Sequence, residues 1–276
     1  MRKHFGQGLA LRSLVALAAV ALIAGAAHAD FAVTYFGFGT GDDADLAASA
    51  TFELVGATLT VTLSNDATAD TLVPADLLTG VYWDVADAGV TLTPVSAALV
   101  GGGSILNLTH ASTDENWDGS NLGGEFAYNG AISSANFNGA NNGVSSSGLG
   151  FFSETLLFDD TTPLDSPASP NGANFGIVSA GDDATTGNSV VDSDSATSEP
   201  LIDGSVIFTF TVDGTFDGYD LSNIWFQYGT DVAEPGYGGF CIVCPPPFTP
   251  PTPEPATIGL LGLGLVGLIA KARKRS

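Results

Sequence analysis

Between Asp30 and Ala270 the chain contains no lysine and no arginine. The 7 basic residues all sit at the two ends, as Arg2, Lys3 and Arg12 and as Lys271, Arg273, Lys274 and Arg275, while all 30 Asp and Glu lie in the span between. A domain folded from that span has no cationic side chain except the weak base His110. The span is therefore a polyanion.

The same asymmetry restricts partners. Nucleic acid is excluded, because phosphate binding gains from counterion release only where Lys or Arg replaces the counterions. Anionic small molecules lack a guanidinium or ammonium clamp. At this density of carboxylates, salt or divalent cations are expected to matter to stability.

The ends read as addresses. Residues 1–29 have a basic start, an apolar run from Leu14 to Gly25 and the small-x-small ending Ala27-His28-Ala29. That is the pattern of a secretory signal peptide, with cleavage expected before Asp30. Near the other end Pro253-Glu254-Pro255 precedes an apolar run, Ile258 to Ala270, and the basic Lys271 to Arg275. As a helix, Ala256 to Ala270 would reach only about 23 Å against a hydrocarbon core of about 30 Å, and Gly259, Gly262, Gly264 and Gly267 weaken it further. Such a segment suits a short transmembrane helix that holds the chain until an enzyme acts on it.

These last residues resemble the PEP-CTERM sorting signal of exosortase substrates. The resemblance implies a Gram-negative-type bacterium that makes extracellular polysaccharide, and processing by an exosortase-type membrane protease near Pro253, Glu254 and Pro255. Leu59 to Asn65, Leu77 to Asp84, Gly123 to Tyr128 and Ser147 to Phe152 are similar to the ectodomain blocks of exosortase-dependent surface proteins, which implies location more than mechanism.

A chain of 276 residues with 35 Gly and 14 Pro, rich in Thr, Val, Asn and Asp, leaves a little over 200 residues between the addresses, enough for one β domain with a real core. Leu59, Val61 and Leu63 alternate with Thr58, Thr60 and Thr62, as in a half-buried antiparallel strand. In Val206 to Val212 the even positions carry the core face. Phe31 to Phe38, Val81 to Val85, Leu149 to Phe158 and Ile224 to Tyr228 read as further strands. Asn136 to Gly148, nearly all small or polar, reads as a long surface loop, as does Thr161 to Pro170. The expected fold is all-β, an antiparallel β-sandwich or jelly roll. The expected organisation is a signal peptide at 1–29, an ectodomain at 30–235, a Gly/Cys/Pro spacer at 236–252 and the sorting segment at 253–276.

Three constellations bear on chemistry. Cys241 and Cys244 form a lone C-x-x-C whose Gly and Pro flanks make no helix to lower a thiol pKa, with only His110 as a further soft ligand. In an oxidising compartment it reads as a disulfide, placed beyond the last strand and dispensable for folding. Asp114, Asn116, Asp118, the carbonyl of Ser120 and Glu125 satisfy D-x-[DN]-x-[DN]-G-x5-E, a calcium-loop spacing, although strand-like flanks equally fit an acidic β-loop without metal. His110 with Asp114 lacks a nucleophile elbow and reads as structural or solvated. The expected function is a non-enzymatic surface or extracellular-matrix protein associated with exopolysaccharide. The alternative is a calcium-assisted, lectin-like module using aromatics such as Trp117.

Overall fold

The computed structural model describes residues 30–41, 45–107, 121–133, 135–152, 158, 172–218, 220–242 and 244. In chain order the strands are β1 (Phe31–Thr40), β2 (Asp45–Val55), β3 (Thr58–Asn65), β4 (Leu78–Val85), β5 (Thr91–Leu99), β6 (Ser104–Leu106), β7 (Ala127–Asn129), β8 (Asn142–Ser145), β9 (Leu201–Asp203), β10 (Ser205–Asp213), β11 (Leu221–Tyr228), β12 (Gly236–Gly238) and β13 (Phe240–Cys241). A 3-10 turn, Pro74–Asp76, precedes β4. The fold is all-β and every strand pairing is antiparallel.

Two sheets share one core. The first runs β13-β1-β2-β3-β10-β5, the second β12-β11-β4-β8-β7, and β6 and β9 form a small ribbon. Alternation places Leu59, Val61 and Leu63 of β3, and Val206, Phe208, Phe210 and Val212 of β10, on the buried face. Their partners across the core come from the second sheet. Trp83 of β4 meets Phe52 at 5.4 Å and Phe210 at 6.2 Å, and Tyr128 of β7 meets Phe210 at 5.0 Å. The meander β1-β2-β3 keeps sequential strands adjacent within one sheet, unlike the two Greek keys of a jelly roll. At the β5 edge, Pro94 withholds a donor beside an irregularity in register, and the N–H of Leu122 bonds the carbonyl of Ala97 at 2.9 Å; both blunt an edge open to further pairing.

Three expectations are corrected here. The stretch 136–148, expected as a surface loop, contains β8, whose four residues are all buried between β4 and β7. It lacks hydrophobic alternation because both of its faces are covered. Val144 joins the main core, and Gly143 lies under the ring of Tyr82, where an added Cβ would come within 2.3 Å of a ring carbon. Its polar side chains are satisfied internally, as Ser145 donates to the carbonyls of Thr79 at 3.1 Å and Ser147 at 2.7 Å. A second apolar cluster follows on the outer face of this sheet, where Tyr82 stacks on Phe137 with ring centres 3.8 Å apart.

Leu149 to Phe158, expected as a strand, opens instead with a turn in which Leu149 and Gly150 take φ of 46° and 79°. The turn folds Phe151 against Phe137 at 5.3 Å and brings Phe152 beside Tyr82. Residues 153–157 lie outside the described set.

The third correction concerns the start of the spacer. Gly236–Gly238 pairs with β11 in one sheet, and Phe240–Cys241 pairs with β1 in the other. The chain therefore straps the two sheets together at Gly239, whose N–H bonds the carbonyl of Ile224 at 2.7 Å. Glycine is required along this strap for close approach: a Cβ on Gly39 would enter the ring of Tyr237, and one on Gly239 would come 2.9 Å from Ile224.

Candidate functional site

A cleft of about 270 Å³ opens at one end of the domain, beside the connection that carries the chain from β4 in one sheet to β5 in the other. It is built around a reciprocal clamp. The carboxylate of Asp84 accepts the backbone N–H of Asn141 at 2.8 Å, and Oδ1 of Asn141 accepts the backbone N–H of Val85 at 3.3 Å. These two bonds pin the end of β4 to the chain entering β8.

The clamp extends in both directions. Asn142 Nδ2 donates to Asn141 Oδ1, and Asn142 Oδ1 accepts the hydroxyl proton of Tyr128 at 2.6 Å. Burial pushes the Tyr128 phenol well above its ordinary value, so it stays protonated as the donor. On the far side Asn223 donates to Asp84 at 3.2 Å and to the carbonyl of Asn138 at 2.6 Å, while Asn138 donates to Asn223 Oδ1. Asn138 and Asn223 both take left-handed φ, 55° and 54°, a conformation asparagine tolerates better than most residues.

The cleft wall itself is mixed. Val85, Val90 and Leu92 present apolar surface, and Asp87, Thr91 and Asn141 present polar groups. Asp87 Oδ1 accepts the N–H of Gly89 at 2.7 Å, which fixes the bend between β4 and β5. Among the described residues the Nδ2 of Asn141 and the second oxygen of Asp87 have no partner. Sequence reasoning missed this site, since its residues fall at four separate places in the chain and most of its asparagines stood in the stretch taken for a loop.

Elsewhere, a second concavity of about 470 Å³ lies beside Phe38, Asp45 and Asp66. Phe38 and Phe240 are exposed on the outer face of the strap edge, ring centres 5.7 Å apart, with Ile242 exposed beyond them. Asp182, half-buried among the loops after β8, has its carboxyl pushed up to about 6, first by desolvation and further by Asp70 and Asp203.

The residues singled out from the sequence are distributed as follows. Glu125 is buried, 4 % exposed, in the turn that precedes β7, with its N–H on the carbonyl of Leu122 at 3.0 Å. Asp114, Asn116, Asp118 and Ser120 lie outside the described residues, as do His110 and the segment with Pro253, Glu254 and Pro255. Among the described residues no three His, Cys, Asp or Glu side chains converge to hold a metal ion. Cys241 and Cys244 are joined in a disulfide, and Cys241 belongs to β13 and packs against the core. No helix among the described residues is long and apolar enough to cross a membrane, and the apolar run 256–270 is outside them.

Comparison with known families gives one match: the family described as the PEP-CTERM protein-sorting motif covers residues 251–275. That stretch holds the Pro-Glu-Pro sequence, the apolar run and the basic cluster. No curated protein and no solved structure matches the chain.

Proposed function

We propose that this chain, exported and directed to an exosortase-type system by its PEP-CTERM motif, is a non-enzymatic surface or extracellular-matrix protein whose β domain stands in contact with extracellular polysaccharide. The observation that carries the reading is the position of the motif. Eight residues lie between Cys244, at the end of the strap, and Pro253, and at full extension the nine steps from one to the other span at most about 32 Å. A membrane protease working on the Pro-Glu-Pro segment would therefore act close beside a domain whose last strands are already paired. The basic residues all lie outside the domain, in segments that export and sorting would remove, so the delivered product is a polyanion without a cationic side chain apart from His110.

A triple Pro253→Ala, Glu254→Ala, Pro255→Ala variant tests the reading by fractionation and mass spectrometry of the intact chain. Parent protein recovered from the cell surface or matrix is expected to lack both Met1 to Ala29 and Lys271 to Ser276. The variant is expected to stay in the membrane fraction with its basic tail. An intact tail on most surface molecules of the parent would replace sorting by permanent anchoring. The amide-lined cleft supports a second reading, a glycan-binding module.

A further inference from the structure

We propose that the cleft at the Asp84–Asn141 end of the domain binds a neutral saccharide chain; this rests on the reading that the domain meets extracellular polysaccharide. The cleft volume, about 270 Å³, is near the lower end of the about 300–1,000 Å³ typical of small-ligand sites, which suits a short segment of a longer polymer. Its chemistry is that of a sugar face. Val85, Val90 and Leu92 offer apolar surface to ring C–H groups, while Asp87, Thr91 and Asn141 offer acceptors and donors to hydroxyls, each of which both gives and takes a hydrogen bond.

Asn141 supplies the preorganisation. Its backbone N–H is held by Asp84, and its Oδ1 takes the N–H of Val85 and the amide of Asn142. The side chain cannot rotate without breaking these bonds, and only Nδ2 is left to serve a ligand. A donor fixed in advance loses little entropy on binding. Asp87, which also lines the cleft, has one oxygen committed to Gly89 and the other without a partner among the described residues.

Charge decides the ligand class. Asp87 lines the cleft, Asp84 is bonded to the backbone of Asn141, and no lysine or arginine exists in the domain, so a uronate, sulfate or phosphate would meet repulsion and no clamp. A hydroxyl-rich neutral chain meets neither obstacle.

The test is calorimetric titration of the full chain, as exported, with four-residue neutral gluco-, manno- and galacto-oligosaccharides and with oligogalacturonate as the anionic counterpart. At least one neutral series is expected to bind saturably and oligogalacturonate to fail. Thr91→Trp fills the mouth from an exposed position on an edge strand. Asn141→Asp keeps the Oδ1 acceptor and removes the free donor. Each should weaken binding at least about tenfold while the thermal midpoint stays near that of the parent. The assignment is overturned if no neutral series binds up to about 10 mM, if oligogalacturonate binds as well, or if binding survives both substitutions. Failure of surface delivery in the fractionation experiment would leave these titrations unchanged, so the two readings fail separately.

Discussion

Replacing both Cys241 and Cys244 by serine asks whether the strap is part of the domain or an appendage to it. Considered from the sequence, the pair stood beyond the last strand and its loss would pass unnoticed. The structure places Cys241 opposite Tyr35 in β13 and partly buried against the core, so the bond closes a loop at the point where the two sheets are tied. For a loop of four residues, chain-entropy arithmetic gives a limit of about 2 kcal/mol, and short loops often deliver less. In a domain of this size each kcal/mol moves the melting midpoint by about 2–4 °C, so the double variant should melt measurably lower, by at most about 4–8 °C. The measurement is thermal unfolding by circular dichroism under oxidising conditions, with hydrogen exchange at Tyr35 to Gly37 as a local readout. Faster exchange at those amides should accompany the drop. A variant that melts within about 1 °C of the parent would refute the coupling and return the strap to the spacer.

Trp83→Ala removes the side chain that bridges Phe52, Phe210 and Tyr128 between the sheets and should cost about 3–5 kcal/mol, lowering the midpoint by about 10 °C. A shift below about 3 °C would show that the two sheets do not depend on this contact. For Asp182 the folded carboxyl titrates near 6, above its ordinary 3.8, because burial disfavours the charge. Its contribution to stability is thus complete below the unfolded value and lost as pH rises through about 6, so melting should be higher at pH 5 than at pH 7.5. Asp182→Asn keeps an acceptor for the N–H of Thr71 and should flatten that part of the profile; parallel profiles for parent and variant would reject it.

Strands with one wet face were legible in the sequence, because alternation reports a half-buried surface. Thr58 to Leu63 and Val206 to Val212 sit in the register their pattern predicts, paired to each other through Val61 and Phe208. Strands covered on both faces without large side chains were not legible. In β8 the sequence Asn142-Gly143-Val144-Ser145 carries the composition of a turn, yet Gly143 is there to make room for Tyr82 and Ser145 to saturate carbonyls. The strap failed for a related reason. Gly236 and Gly239 read as spacer by composition, while the need for glycine comes from Trp225, Ile224 and Phe226, which lie on another strand. The cleft was hidden further still, since the Asp84–Asn141 clamp joins residues 57 apart and no local pattern announces it.

How a domain rich in carboxylates and free of lysine and arginine holds its acids explains why such a cleft can form. Asp87, Asp183, Asp192 and Asp231 each accept the backbone N–H two residues on, at 2.7, 3.1, 2.9 and 2.8 Å, and Glu234 accepts the N–H of Asp231 at 2.7 Å. Turns thus do the work that ion pairs do elsewhere, and each carboxylate so engaged stabilises the bend that presents it. The arrangement has an electrostatic consequence. Backbone amides are dipoles that satisfy an acid locally without neutralising its charge, so the domain keeps its net negative charge and disfavours anionic polymers. Where such a surface turns inward and alternates carboxylate with amide over an apolar floor, as at Asp87, Asn141 and Leu92, neutral hydroxyls are the groups it can pair with at no charge penalty. The exclusion of cations from the sequence and the chemistry of the cleft are therefore one property expressed at two scales.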